Sequence, residues 1–221
     1  MKTPSHLRKG FTLIELIVVI AILVTLASIA IPGVMGALNT ANNTAARKVC
    51  IDITQAATRF AQDNNSSLPY YADDAKADHD DQIFLTTEAG KDANMIAILT
   101  NREEDDDNRM NTTHDTYLKA DEQEQRLNGL YVDPADGSLN YYDPWGSPYY
   151  VVLCEEEKGC IDPFTAKRLR GKQCLVYSLG ADKAGAAAKS SSKGKKGKKA
   201  KTSEADEEAI EDNVYSWKQT K

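Results

Sequence analysis

A chain of 221 residues holds one membrane anchor and one modest domain, and excludes two large ones. With 41% hydrophobic residues and a formal charge of −6, it suits a soluble portion carried on such an anchor. The usual catalytic constellations are also excluded: there is no G-x-S-x-G, H-E-x-x-H, P-loop or paired Cys/His arrangement, and His6, His79 and His114 stand in a basic leader or in acidic stretches.

The leader, residues 1–10, carries Lys2, Arg8 and Lys9 and no acid. The run that follows the Lys9-Gly10-Phe11 junction, residues 11–31, holds one ionisable side chain, Glu15, and neither Gly nor Pro until Pro32. About twenty apolar residues cross a hydrocarbon core as a helix, and this run is just long enough. Its β-branched richness suggests a strand, but a lone strand in lipid leaves its backbone groups unpaired. A transmembrane helix is therefore predicted. The basic leader stays cytoplasmic, which places everything after Ile31 on the far side, and no second apolar run follows. A secretory signal is cut after its apolar region near small residues. Here the attractive site lies before it, and cutting after Gly10 leaves a new amine at Phe11, four residues from Glu15. An acid within the membrane needs a partner, and that amine, or a neighbouring chain's, supplies one.

KGFTLIELIVVIAILVTLASIAIP resembles the class III signal of type IV pilins and type II secretion pseudopilins. The resemblance implies that a prepilin peptidase cuts after Gly10 and that Phe11 is N-methylated. It also implies that Glu15 neutralises the N-terminal amine of a neighbour during assembly.

Pro32-Gly33, with Gly36 beyond, weakens a helix, yet the apolar pattern resumes at Val49, Ile53, Ala56 or Ala57, and Phe60. One kinked helix of roughly fifty residues is predicted, ending near Asn64-Asn65 and stopped by Leu68-Pro69. Residues 72–81 are acid-rich; His79 among the aspartates is read as surface rather than as a metal site. TTEAGKDANMIAILTN, residues 86–101, predicts a short helix from Thr87 or Glu88 to Leu99 and is similar to the TTEQGL-type helix of major pseudopilins. Residues 102–128, with the block Glu103-Glu104-Asp105-Asp106-Asp107 and few apolar side chains, read as a solvated loop outside the core.

In YYDPWGSPYYVVL, residues 141–153, Asp-Pro then Trp-Gly marks a tight turn before a strand. It resembles the pseudopilin DPWGNPY motif, whose tryptophan packs the turn on the sheet. CLVYSL, residues 174–179, reads as another strand. Two to four short antiparallel strands against the long helix give an α+β fold of type IV pilin-like kind.

SLGADKAG, residues 178–185, and EDNVYSW, residues 211–217, are similar to the two halves of the calcium loop of major pseudopilins. The resemblance implies calcium held by the Leu179 carbonyl, Asp182, Asp212, Asn213 and the Val214 carbonyl, all oxygen donors suited to that hard ion. Two departures weigh against it. Asn213 stands where an acid is usual, and residues 183–211 form a low-complexity insertion with Lys193, Lys195, Lys196, Lys198, Lys199 and Lys201. The other reading makes Asp182 and Asp212 turn and surface acids. The lysines lack interleaved aromatics and are followed by Glu204, Asp206, Glu207 and Glu208, so they read as a self-compensating loop rather than a contact for nucleic acid or lipid headgroups.

Cys50, Cys154, Cys160 and Cys174 all fall on the translocated side, where disulfides form, and allow three pairings. CEEEKGC closes a short loop and favours Cys154–Cys160, leaving Cys50 for Cys174. A zinc site lacks C-x₂-C spacing and a nearby histidine.

The expected organisation is a removed leader (1–10), an assembly helix (11–31) and a periplasmic domain (32–221) with charged insertions at about 102–140 and 183–211. The resemblance implies a non-enzymatic subunit of a helical homo-oligomeric fibre in the bacterial inner membrane, driving export by type II secretion. Its partners are membrane lipid before assembly, prepilin peptidase, minor pseudopilins and the inner-membrane assembly machinery. The alternative is a type IV pilin or minor tip subunit acting in adhesion or in DNA or surface binding.

Overall fold

The computed structural model describes residues 11–69, 83–86, 95–103, 109–154, 158–183 and 213–217. Helix α1, Leu13–Asp63, runs for 51 residues with Pro32 inside it. The chain divides into two units, Met1–Asn42 and Asn43–Lys221.

In the first unit every residue from 11 to 41 is exposed, including Phe11 at 74% and Ile29 at 78%. The helix is long and apolar enough to cross a membrane. Its few hydroxyls are turned onto its own backbone: Thr25 donates to the Ile22 carbonyl and Ser28 to the Thr25 carbonyl, both at 2.8 Å. Back-bonding of this kind satisfies these hydroxyl donors within the helix itself.

In the second unit the remainder of α1 buries Ala46, Cys50, Ile53, Ala56, Ala57, Phe60 and Ala61, a stripe three and four residues apart, as its periodicity predicts. The helix ends where expected. Asn65 and Ser66 have positive φ, the Ser66 amide reaches back to the Ala61 carbonyl at 2.7 Å, and the Asn64 side chain caps the Phe60 carbonyl. The stripe packs on a four-stranded antiparallel sheet ordered β1-β4-β7-β8: Ile83–Leu85, Tyr150–Leu153, Cys174–Ser178 and Val214–Tyr215. Two hairpins stand beside it, β2 (Gly129–Val132) with β3 (Leu139–Tyr142), and β5 (Cys160–Ile161) with β6 (Arg168–Leu169). The α+β fold read from sequence is the one observed.

Val151, Leu153, Cys174, Val176 and Val214 share the cluster formed by α1. The alternate residues Val152, Leu175, Tyr177 and Tyr215 belong to clusters that also hold Cys160, Phe164, Leu169 and Trp217. Both faces of the sheet are therefore covered, so β4 and β7 read as unbroken apolar runs instead of alternating ones.

Of two further expectations, one is met over its described part and one changes. The short helix α2 is Met95–Thr100; residues 87–94, where an earlier start was expected, lie outside the described residues. Residues 102–128 are not simply a solvated loop. Tyr117 and Leu118 enter the core, their amides both bonded to the Leu99 carbonyl, and Tyr117 meets Phe60 edge-on at 5.3 Å. Asn111 is fully buried and donates to the carbonyls of Ile98 and Asp115 at 3.0 and 2.8 Å. Glu103 accepts the amides of Met110 and Asn111, so an acid of the charged block ties the loop down from inside. Burial of this segment is possible because each of these polar groups finds a partner.

Candidate functional site

At the start of α1, Glu15, expected with Phe11 to act in assembly, forms a capping box with Thr12. Thr12 ends the non-helical entry, and its amide and hydroxyl both donate to Glu15 Oε2, at 2.9 and 2.6 Å. The Glu15 amide returns a bond to Thr12 Oγ1 at 3.3 Å. These bonds satisfy backbone donors that a helix N-terminus otherwise leaves open. The T-x-x-E spacing announces such a cap, and a reading of Glu15 solely as a partner for an amine passes over it. Phe11 lies exposed beside the cap, and Gly10 lies outside the described residues.

In the domain, three sequence stretches singled out separately meet. Thr86, which opens TTEAG, donates its hydroxyl to the Tyr141 carbonyl at 2.7 Å and accepts the Tyr149 amide at 2.9 Å, spanning both flanks of DPWG. Within that turn Asp143 is fully buried; its Oδ1 accepts the amides of Trp145 and Ser147 at 3.0 and 2.7 Å. Its Oδ2 accepts the hydroxyl of Ser178, the first residue of SLGAD, at 2.6 Å. The Ser178 oxygen in turn takes the Gly180 amide at 3.1 Å, where Gly180 has a φ of 77° that a side chain would strain. Burial raises the Asp143 pKa, opposed by the bonds from Ser178, Ser147 and Trp145. Trp145 packs half-buried against the core, as the motif implies.

Asp162-Pro163-Phe164 repeats the device without having been noticed in the sequence. Asp162 Oδ1 accepts the amides of Phe164 and Thr165, and Oδ2 accepts the indole N–H of Trp217. The signal was the recurring Asp-Pro pair, since aspartate followed by proline favours a side-chain-closed turn.

Of the residues assigned to calcium, Leu179 and Asn213 come side by side. The register pairs Tyr177 with Tyr215 and Ser178 with Val214, which places Leu179 opposite Asn213 at the end of the strands. Asn213 is 7% exposed, and among the described residues its amide oxygen makes no hydrogen bond. Asp182 is exposed three residues beyond Leu179, and Asp212 lies outside the described residues. Among the described residues no three His, Cys, Asp or Glu side chains gather as a metal cluster.

Cys154 and Cys160 form the expected disulfide. The expected second bridge is not formed. Cys50 and Cys174 are buried thiols, and Cys50 points its sulfur at the Val214 carbonyl, 3.9 Å away. Burial pushes the Cys174 thiol up to about 12 and Cys50 in the same direction.

Residues 5–31 match the family described as the prokaryotic N-terminal methylation motif. The type IV wide pilus major component PilA4 of Thermus thermophilus is 43% identical over 58 residues, 26% of this chain and 44% of that protein. The chain thus matches less than half the length of that curated relative. No solved structure matches the chain. Helix, cap and motif agree: the N-terminal part of the chain carries a prokaryotic methylation motif at the head of a long apolar helix and is similar there to a type IV pilus component.

Proposed function

We propose that the chain is a subunit of a type IV pilus-like filament, held in the inner membrane by residues 11–31 and assembled through the same helix. The observation that carries this is the unburied apolar surface of residues 11–41, which needs lipid before assembly and other copies of itself afterwards. The similarity to a pilus component over the matched segment supports it. In this reading prepilin peptidase cuts after Gly10, and inner-membrane assembly machinery and minor subunits complete the set of partners. Both cap bonds fall on Glu15 Oε2, so Oε1 is the oxygen for a neighbour's Phe11 amine. Stranding one member of a buried ion pair costs about 3–5 kcal/mol. Glu15→Ala and Glu15→Val should therefore insert in the membrane and yield no fibres; normal fibre yield from either returns the chain to a plain anchored domain.

A second reading, a type II secretion pseudopilus, draws on the Asp143–Ser178 bond that joins DPWG to SLGAD. Loss of exported protein on deleting the gene, with surface fibres unaffected, would favour it over the pilus.

Calcium belongs to this proposal. Asn213, buried with an unbonded amide oxygen beside Leu179, fits a cation that Leu179, Asp182, Asp212 and Asn213 would hold. The ion would supply charge that ties the strand ends. Binding only the folded state adds about 2.7 kcal/mol at a hundredfold excess over Kd. The detergent-extracted chain should melt higher in millimolar calcium than in chelator, and Asp182→Ala should erase the difference. Coincident melting curves would remove calcium from the proposal.

A further inference from the structure

Strand β8 has only two residues, lies at the edge of the sheet and is separated from β7 by residues 179–213 in sequence. Two register pairs are a weak hold for such a segment. We infer that Asp162 and Trp217 form a latch that keeps β8 on β7 through protein contacts alone. It is a positioning device, independent of any cation and of how the filament is classed.

The latch is built from three parts. The disulfide Cys154–Cys160 fixes the β5–β6 hairpin to the end of β4, two residues before Asp162. Asp162, 4% exposed, divides its carboxylate: Oδ1 closes its own turn on Phe164 and Thr165, while Oδ2 takes the Trp217 indole N–H at 3.3 Å. The turn thereby seats Phe164 edge-on to Tyr177 at 4.9 Å and to Tyr215 at 5.3 Å, with Trp217 edge-on to Tyr215 at 5.1 Å. Strand and hairpin are thus joined by one charge-assisted bond and interlocked rings, a combination stronger than the bare edge pairing. The backbone continues the hold past β8. The Ser216 amide donates to the Val176 carbonyl at 2.9 Å, and the Val176 amide donates to the Ser216 hydroxyl oxygen at 3.1 Å.

Hydrogen exchange on the detergent-extracted full chain, in chelator and again in calcium, tests this. Trp217→Phe keeps a ring and removes the donor; Asp162→Asn keeps a turn-closing oxygen and presents an amide N–H₂ to the indole. In either variant the amides of Ser216 and Val176 should exchange about tenfold faster in chelator, while those of the β1–β4 pair hold their rate. Unchanged exchange in both variants would overturn the latch. So would equal acceleration throughout the domain, or β8 amides that in the unaltered chain are protected only after calcium is added. Wild-type protection in chelator with no response to calcium would uphold the latch and remove the cation.

Discussion

Asp143 shows how much one carboxylate can organise. Ser178 gives it a hydrogen bond from a neighbouring strand, and hydrogen bonds to charged groups are worth about 1.5–3 kcal/mol. Ser178→Ala should lower stability by that amount in thermal melts of the domain. Burial raises the Asp143 pKa, so the fold prefers the protonated carboxyl. Its contribution is complete below about pH 3.9, the unfolded aspartate value, and is lost as pH rises through the raised folded value. Asp143→Asn does not ionise and escapes that loss. Its melting temperature relative to the unaltered chain should therefore climb from about pH 4 toward neutrality; a constant gap would mean an ordinary titration. The Asp-Pro-Trp-Gly turn was legible in the sequence because turn chemistry is local. The bond to Ser178 was not, since it depends on β4 and β7 pairing in one register.

The elements divide in the same way. Helix α1 was legible almost to its last residue because its apolar spacing has the helical period and Asn64-Asn65 supplies a left-handed end. Phe60, near the end of that stripe, is 0% exposed, and Phe60→Ala should cost about 3–5 kcal/mol by the cavity it leaves. Residues 102–128 misled a reading by composition. Two apolar side chains and one amide are enough to bury a segment when the amide's own bonds are met, and charge density does not reveal that. Asn111→Ala should remove the donor to the Asp115 carbonyl and one of the donors to the Ile98 carbonyl and cost about 1–3 kcal/mol, read as a shift in denaturant midpoint at constant slope. A solvated loop would show almost no change.

At the scale of the whole molecule, intact-mass analysis of the membrane-extracted protein should find residues 1–10 removed and Phe11 at the N-terminus. Retention of the leader in cells with an active peptidase would overturn the processing scheme. The cysteines give a second whole-chain check. Burial keeps Cys50 and Cys174 protonated and shielded, so alkylation of the native chain should label neither. Denaturation without reductant should expose two labelling sites, whereas none would mean that Cys50 and Cys174 are bridged. The pairing of Ser178 with Val214 carries one more consequence. Strand β7 ends where β8 begins, Ser178 facing Val214, so the two strand ends that the intervening residues join lie side by side. Loop length at such a junction adds only logarithmically to the closing cost, and adjacent ends suit the neighbouring termini of a foreign domain. A fluorescent protein or enzyme spliced between Lys183 and Asn213 would ride on each subunit, turning a filament of this chain into a regularly spaced display rail.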